Sequence, residues 1–158
     1  MRHDRREIYK LKKVCFLSLL MNNACILFHM LFFLVTVNYK ISHIIETYGG
    51  IHMLVNNAGG QFVCSAEDLS AGGFAAVVDT NLKGTFLCCR EAYTQYMRDH
   101  GGSIVNITLG NRNGMPLMVH SGAARAGIEN MTATLCSEWL ESDVRINCVR
   151  PGIIWTER

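Results

Sequence analysis

Hydrophobic and polar positions divide the chain near residue 40. Residues 1–13 carry Arg2, Arg5, Arg6, Lys10, Lys12 and Lys13, and Val14 to Val37 then runs 24 residues without a formal charge. Only Ser18, Asn22, Asn23, His29 and Thr36 interrupt the apolar run. Its length and apolarity predict a helix able to span a bilayer, with the basic flank keeping the N-terminus on the cytosolic side. A signal peptide fits less well, because the stretch is long and no small-residue cleavage site follows it. The bland alternative is an apolar segment from an aberrant first exon with no membrane role. Residues 1–40 therefore stand apart from 41–158.

Beyond residue 40 the pattern is that of an α/β protein. Ile41 to Tyr48 reads as the tail of an amphipathic helix closed by Gly49 and Gly50. His52–Asn56 is a predicted strand, Ala71–Val78 a short helix, and Asn81 to His100 a longer helix stopped by Gly101 and Gly102. Ser103–Thr108 is β-rich with little alternation, which predicts a strand buried on both faces. Gly122 to Glu141 carries Ala124, Ile128, Met131, Leu135 and Trp139 as one apolar stripe, and Arg145–Val149 is a strand ended by Pro151 and Gly152. Strands alternating with helices require right-handed crossovers and a parallel sheet. The fold class expected is α/β, an incomplete doubly wound (Rossmann-like) parallel sheet with an apolar N-terminal helix.

Composition narrows the function. The chain of 158 residues has room for one core, and a formal charge of +2 with 18% charged residues gives no electrostatic case for nucleic-acid binding. Seven cysteines (15, 25, 64, 88, 89, 136 and 148) form no CxxC pair and no spaced Cys/His set, so no metal site is expected and free thiols in a reducing compartment are. The sequons at Asn106 and Asn130 fall inside a predicted strand and a predicted helix and read as chance matches.

The most telling segment is Leu54 to Gly60. A short apolar strand ends in Asn56 and Asn57, followed by Ala58, Gly59 and Gly60. Paired amides can tie strand ends together, and small residues let backbone approach a ligand in the crevice beyond a parallel sheet. Such a sheet should carry a glycine loop for phosphates earlier in the chain, but the first glycine is Gly49.

Four segments in this order, Asn56-Asn57-Ala58-Gly59, Asn81 to Phe86, Gly102 to Ile107 and Arg145 to Gly152, resemble the short-chain dehydrogenase/reductase family. The resemblance covers roughly residues 41–158. Within the family, Asn57 to Phe62 and Pro116 to Gly127 resemble the peroxisomal trans-2-enoyl-CoA reductases. This implies NADP as cofactor, a fatty enoyl-CoA as substrate, and reduction of its carbon–carbon double bond. It also implies a peroxisomal location, although the final Thr156, Glu157 and Arg158 do not read as a peroxisomal address. A membrane-anchored or cytoplasmic location is the alternative.

Family members use a Tyr and a Lys four residues later. The one literal match, Tyr9–Lys13, lacks strand and helix context and is rejected. Ungapped alignment places Ser121 and Arg125 at those positions; a register one turn later gives Glu129 and Ala133, which cannot do the same work. Arg125 supplies charge for a ribose or phosphate oxygen, Ser121 a hydrogen bond, and the adjacent His120 an imidazole of a type that titrates near neutrality. Glu129 is expected to be a solvated helix residue. Asn81 matches the family asparagine that kinks a helix and positions a water, or serves as a helix N-cap. Thr108 stands in for the family Ser, with Leu109 competing for the position. Asn57, Ala58 and Gly59, with Pro151, Gly152 and Thr156, match segments lying against the cofactor.

The expected product is a three-stranded sheet with two bare edges, poor solubility and weak or no cofactor affinity. The function expected is an impaired enoyl-CoA reductase. The alternative is an inactive pseudoenzyme or interaction module, pairing with itself or a full-length relative through helices 81–100 and 120–141.

Overall fold

The computed structural model describes residues 14–16, 26–110 and 113–152. It contains strand β1 (Val14–Phe16), helix α1 (Ile26–Tyr48), β2 (Met53–Asn56), α2 (Ala71–Val78), α3 (Gly84–Ala92), α4 (Arg98–His100), β3 (Gly102–Ile107), α5 (Val119–Glu138) and β4 (Val144–Val149). The strands form one parallel sheet in the order β1-β2-β3-β4. Parallel neighbours need crossovers, and the helices between β2, β3 and β4 supply them.

Three expectations change here. The apolar run 14–37 is not one helix: Val14–Phe16 pairs along β2, and α1 begins at Ile26. Among the described residues no helix is long and apolar enough to cross a membrane. The sheet therefore has four strands rather than three, and the edge of β2 expected to be bare is covered from Met53 to Val55. The β-branched and aromatic side chains of Val14 and Phe16 suit a strand as well as a helix, which is why apolarity alone misled. Third, β3 is not buried evenly on both faces. Ile104 and Asn106 are buried, whereas Ser103, Val105 and Ile107 are only partly covered, because α1, α3 and α5 all contribute to the core on one side.

That core joins Val37 and Ile41 of α1 with Leu54, Leu87, Met97, Ile104, Leu135, Trp139 and Ile146. The junction placed near residue 40 falls inside α1, whose buried side chains lie on both sides of it. Polar contacts also hold α1 to α3. Glu91 is buried yet accepts from Asn38 Nδ2 at 2.7 Å, Arg90 Nη2 at 2.6 Å and Gln95 Nε2 at 2.9 Å. Burial pushes its carboxyl pKa up, but these donors and the Arg90 charge outweigh it and the net shift is downward.

The helix expected to begin at Asn81 is continuous from Ala71. Its path widens into π-helical turns at Asp79–Lys83 and Tyr93–Met97, both with right-handed helical backbone at their boundaries. Asn81 is therefore inside a helix and does not cap one.

Candidate active site at the strand ends

The carboxyl ends of β2 and β3 are locked by side-chain amides. Asn56 and Asn106 are register partners, and Asn56 Nδ2 donates to Asn106 Oδ1 at 2.8 Å. Asn106 Nδ2 donates in turn to Thr132 Oγ1 of α5 at 3.0 Å. Cys89 of α3 packs into this cluster, with Asn56 Nδ2 3.2 Å from its sulfur. Burial pushes the Cys89 thiol up to about 12, so it remains neutral. The amides tie strand ends together as the sequence suggested, and the burial of Asn106 leaves no room for a glycan.

Beyond β2 the backbone turns over Asn81. Asn81 Oδ1 accepts from the Gly60 N–H at 2.9 Å, and its Nδ2 donates to the Gly60 carbonyl at 3.0 Å. A Cβ at Gly59 would lie 2.5 Å from Arg125 Nη2 and 2.7 Å from Asn81 Oδ1, so a side chain here would displace both groups. Arg125 reaches in from α5 and donates from Nη1 to the Ile107 carbonyl at 2.8 Å. Its Nε is buried without a partner. Burial lowers the Arg125 pKa from its ordinary value against an opposing effect of Cys148, yet a guanidinium stays charged near neutrality.

Helix α5 starts at Val119, earlier than the expected Gly122, which places His120 and Ser121 in its first turn. Both are fully buried. Ser121 Oγ donates to Gln61 Oε1 at 2.7 Å, joining α5 to the loop after β2. His120 Nδ1 accepts the Ser121 backbone N–H at 2.7 Å, which puts the imidazole proton on Nε2, a buried atom with no partner. The Phe62 ring meets His120 edge-on at 4.6 Å. His120 is thus a core residue under Phe62.

Thr108 follows β3 and is buried, with its hydroxyl 3.3 Å from the Val149 carbonyl and 3.4 Å from Glu129 Oε1. Leu109, its competitor, is only partly buried. Glu129 is not the solvated residue expected. Arg150 grips its carboxylate with two guanidinium nitrogens, Nε to Oε1 at 2.9 Å and Nη2 to Oε2. The pair lines a cavity of about 780 Å³ with Gly110, Asn113, Gly114 and Cys148.

The structure thus gathers Gly59, Asn81 and Arg125 into one cluster, and His120 and Ser121 into its neighbour on α5. Thr108, the residue after the Ile107 carbonyl that Arg125 holds, lies beside Glu129 and Cys148. Asn57 is exposed and Ala58 half-buried on the same loop as Gly59. Pro151 accepts from the Gly110 N–H at 3.0 Å, and Gly152 is exposed. Thr156 lies outside the described residues. Sequence reasoning missed Gln61 as a partner of Ser121 and Arg150 as a partner of Glu129. The first had a signal in its place two residues beyond Gly59; the second pairs residues 21 apart and had none.

A nicotinamide–ribose group suits the cluster around Gly59. The ledge leaves no room for a side chain, a cation lies against it, and a buried donor on that cation is unpaired. The pyrophosphate has no glycine turn within residues 1–48.

Comparison with known proteins agrees with this architecture. The short chain dehydrogenase family profile matches residues 35–158. Peroxisomal 2,4-dienoyl-CoA reductase [(3E)-enoyl-CoA-producing] of Danio rerio is 43% identical over 121 residues, covering 75% of this chain and 40% of that protein. Its namesake from Pongo abelii is 43% identical over 116 residues, covering 72% and 39%. The structure of a citronellol catabolism dehydrogenase (AtuB) from Pseudomonas aeruginosa PAO1 superposes with TM-score 0.70 and 46% identity, covering 73% of this chain and 47% of that one. The chain spans less than half the length of these relatives. With the strand-end amides, the glycine ledge over Asn81 and the profile in agreement, the chain belongs to the short-chain dehydrogenase/reductase family.

Proposed function

We propose that this chain forms the substrate-activating wall of an NADPH-dependent reductase of fatty enoyl-CoA thioesters. The observation that carries the reading is the Ser121–Gln61 hydrogen bond beside the Arg125 guanidinium. A bound nicotinamide would supply the hydride and water the accompanying proton, and Asn57, Ala58, Gly59, Arg125, Pro151, Gly152 and Thr156 would hold the nicotinamide.

Reducing a double bond conjugated to a thioester sends negative charge onto the thioester oxygen. That oxygen needs fixed hydrogen-bond donors and nearby positive charge more than it needs a proton-transferring tyrosine. Ser121 Oγ–H is committed to Gln61 Oε1, which leaves the Gln61 amide N–H groups to meet a substrate oxygen. Arg125 adds a cation that a lysine would otherwise supply. Asn81 fixes the Gly59–Gly60 ledge against which the reacting groups would lie. His120 orders the first turn of α5 through the Ser121 N–H. Thr108 has two protein acceptors in reach, Val149 and Glu129, and so helps to shape the site more than to donate.

The relatives named as peroxisomal dienoyl-CoA reductases support the thioester class and a peroxisomal setting. Mass spectrometry of an enoyl-CoA incubated with the chain and NADPH tests the proposal. A product heavier by two hydrogens supports it, and unchanged substrate opposes it.

A second reading is that the chain pairs through its helices with a copy of itself or a longer relative. One face of α5 exposes Ala123, Ala126, Asn130, Ala133 and Ser137, small residues at three- and four-residue spacing that suit close helix packing. On α3 the Phe86 ring is exposed under the Arg90 guanidinium, 5.9 Å away. Sedimentation of the chain alone and with a full-length relative tests it: a heavier species supports pairing, and monomers throughout oppose it.

A further inference from the structure

Two surfaces adjoin the candidate site, and their chemistry is opposite. The cavity between β4 and α5 has the Glu129–Arg150 ion pair in its wall, together with Asn113 and three small residues. A hydrocarbon chain lying there would cover charged groups and leave them without water. The surface on the other side of Ser121 is apolar. Phe62 is 43% exposed, Val63 70%, Leu117 54% and Val119 45%, and they come from only two segments, 61–64 and 117–119.

These segments are pinned together. The Cys64 N–H donates to the Leu117 carbonyl at 2.9 Å, and Leu117 holds a left-handed backbone at φ 63°, a conformation unfavourable for a leucine. Phe62 lies between His120, at 4.6 Å, and the start of α2, where a Cβ on Gly73 would be 3.1 Å from its Cζ. The shelf begins at the residue after Gln61 and ends at the residue before His120, so it is continuous with the Gln61–Ser121 pair. Large apolar side chains held exposed against a polar pair mark a ligand surface.

We propose that Phe62, Val63, Leu117 and Val119 form the shelf that takes the hydrocarbon chain of the acyl thioester, its thioester end at Gln61. The inference rests on the proposed reductase function, but it concerns binding and is measurable without turnover.

The test is calorimetric titration of the chain with saturated acyl-CoA thioesters of increasing length, which cannot be reduced. Burial of one side of each added methylene should tighten binding about twofold per carbon until the shelf is filled. Leu117→Asp and Val63→Asp, both at exposed positions, should abolish that increment and leave binding of the shortest thioester within about twofold. Glu129→Gln should leave the increment intact. The proposal is overturned if the increment survives in both shelf variants, if Glu129→Gln removes it, or if affinity in the unaltered chain does not depend on length. An increment located on the shelf without any reduction of enoyl-CoA would uphold the shelf and reject the reductase reading. Reduction of enoyl-CoA with an increment indifferent to the shelf would do the reverse.

Discussion

Asn56 and Asn106 face each other across the β2–β3 register, and the amide of one donates to the amide of the other at 2.8 Å. Through Thr132 this bond ties two strand ends to α5, the helix that carries His120, Ser121 and Arg125. The position of the candidate site thus depends on a buried polar link in an otherwise apolar core.

Replacing Asn106 with leucine should cost about 2–3 kcal/mol, because Asn56 and Thr132 lose a buried partner each. Urea unfolding followed by circular dichroism measures it. An unfolding midpoint equal to that of the unaltered chain would show that the link contributes nothing.

The docking of α1 should weaken in acid. The folded-state pKa of Glu91 lies below its ordinary value, so its contribution is present above the unfolded carboxylate range and is lost as pH falls through the folded value. Stability measured from about pH 7 down to about pH 3 should decline, and Glu91→Gln should flatten the decline while lowering stability at neutral pH. A variant with the same acid slope would place the titration elsewhere.

Thiol reactivity should divide by burial. Cys89, fully buried and held neutral, should resist iodoacetamide at about pH 8, while the half-buried Cys64 reacts. Peptide mass spectrometry reads the order of modification, and early labelling of Cys89 in the folded chain would contradict it.

Gln61→Ala should lower kcat by about a hundredfold if its amide meets the thioester oxygen. Gln61 itself is exposed, but fully buried Ser121 loses its hydrogen-bond acceptor, so stability should fall by about 1–2 kcal/mol. Comparing turnover with unfolding midpoints separates the two effects, and a variant with unchanged kcat would remove Gln61 from the site.

Much of this organisation was legible in the sequence, for reasons of local chemistry. Glycine pairs at 49–50 and 101–102 mark helix ends, and Gly49 and Gly101 hold positive φ there. The helix expected at Ala71 starts there, behind its Ser70 cap, and the strand-end amides bond as their place suggested. What was hidden depends on contacts distant in sequence. Val14–Phe16 becomes a strand through pairing with Met53–Val55, since its apolar composition suits a helix equally well. The one-sided burial of β3 follows from where three helices pack. Asn81 lies mid-helix because the chain continues from Ala71 through a π-helical turn, which leaves its amide to bind Gly60. Glu129 is only partly exposed and is held by Arg150, a partner that its own neighbourhood does not announce.

In the proposed function Arg125, set against the Gly59–Gly60 ledge, serves a nicotinamide-dependent reduction of an enoyl-CoA. Its most direct test is the steady-state oxidation of excess NADPH by the chain with and without a trans-2-enoyl-CoA, compared with Arg125→Met. Slow, thioester-dependent oxidation is expected, falling by about a hundredfold or more in the variant. Oxidation that is indifferent to the thioester, or equal in Arg125→Met, would contradict it.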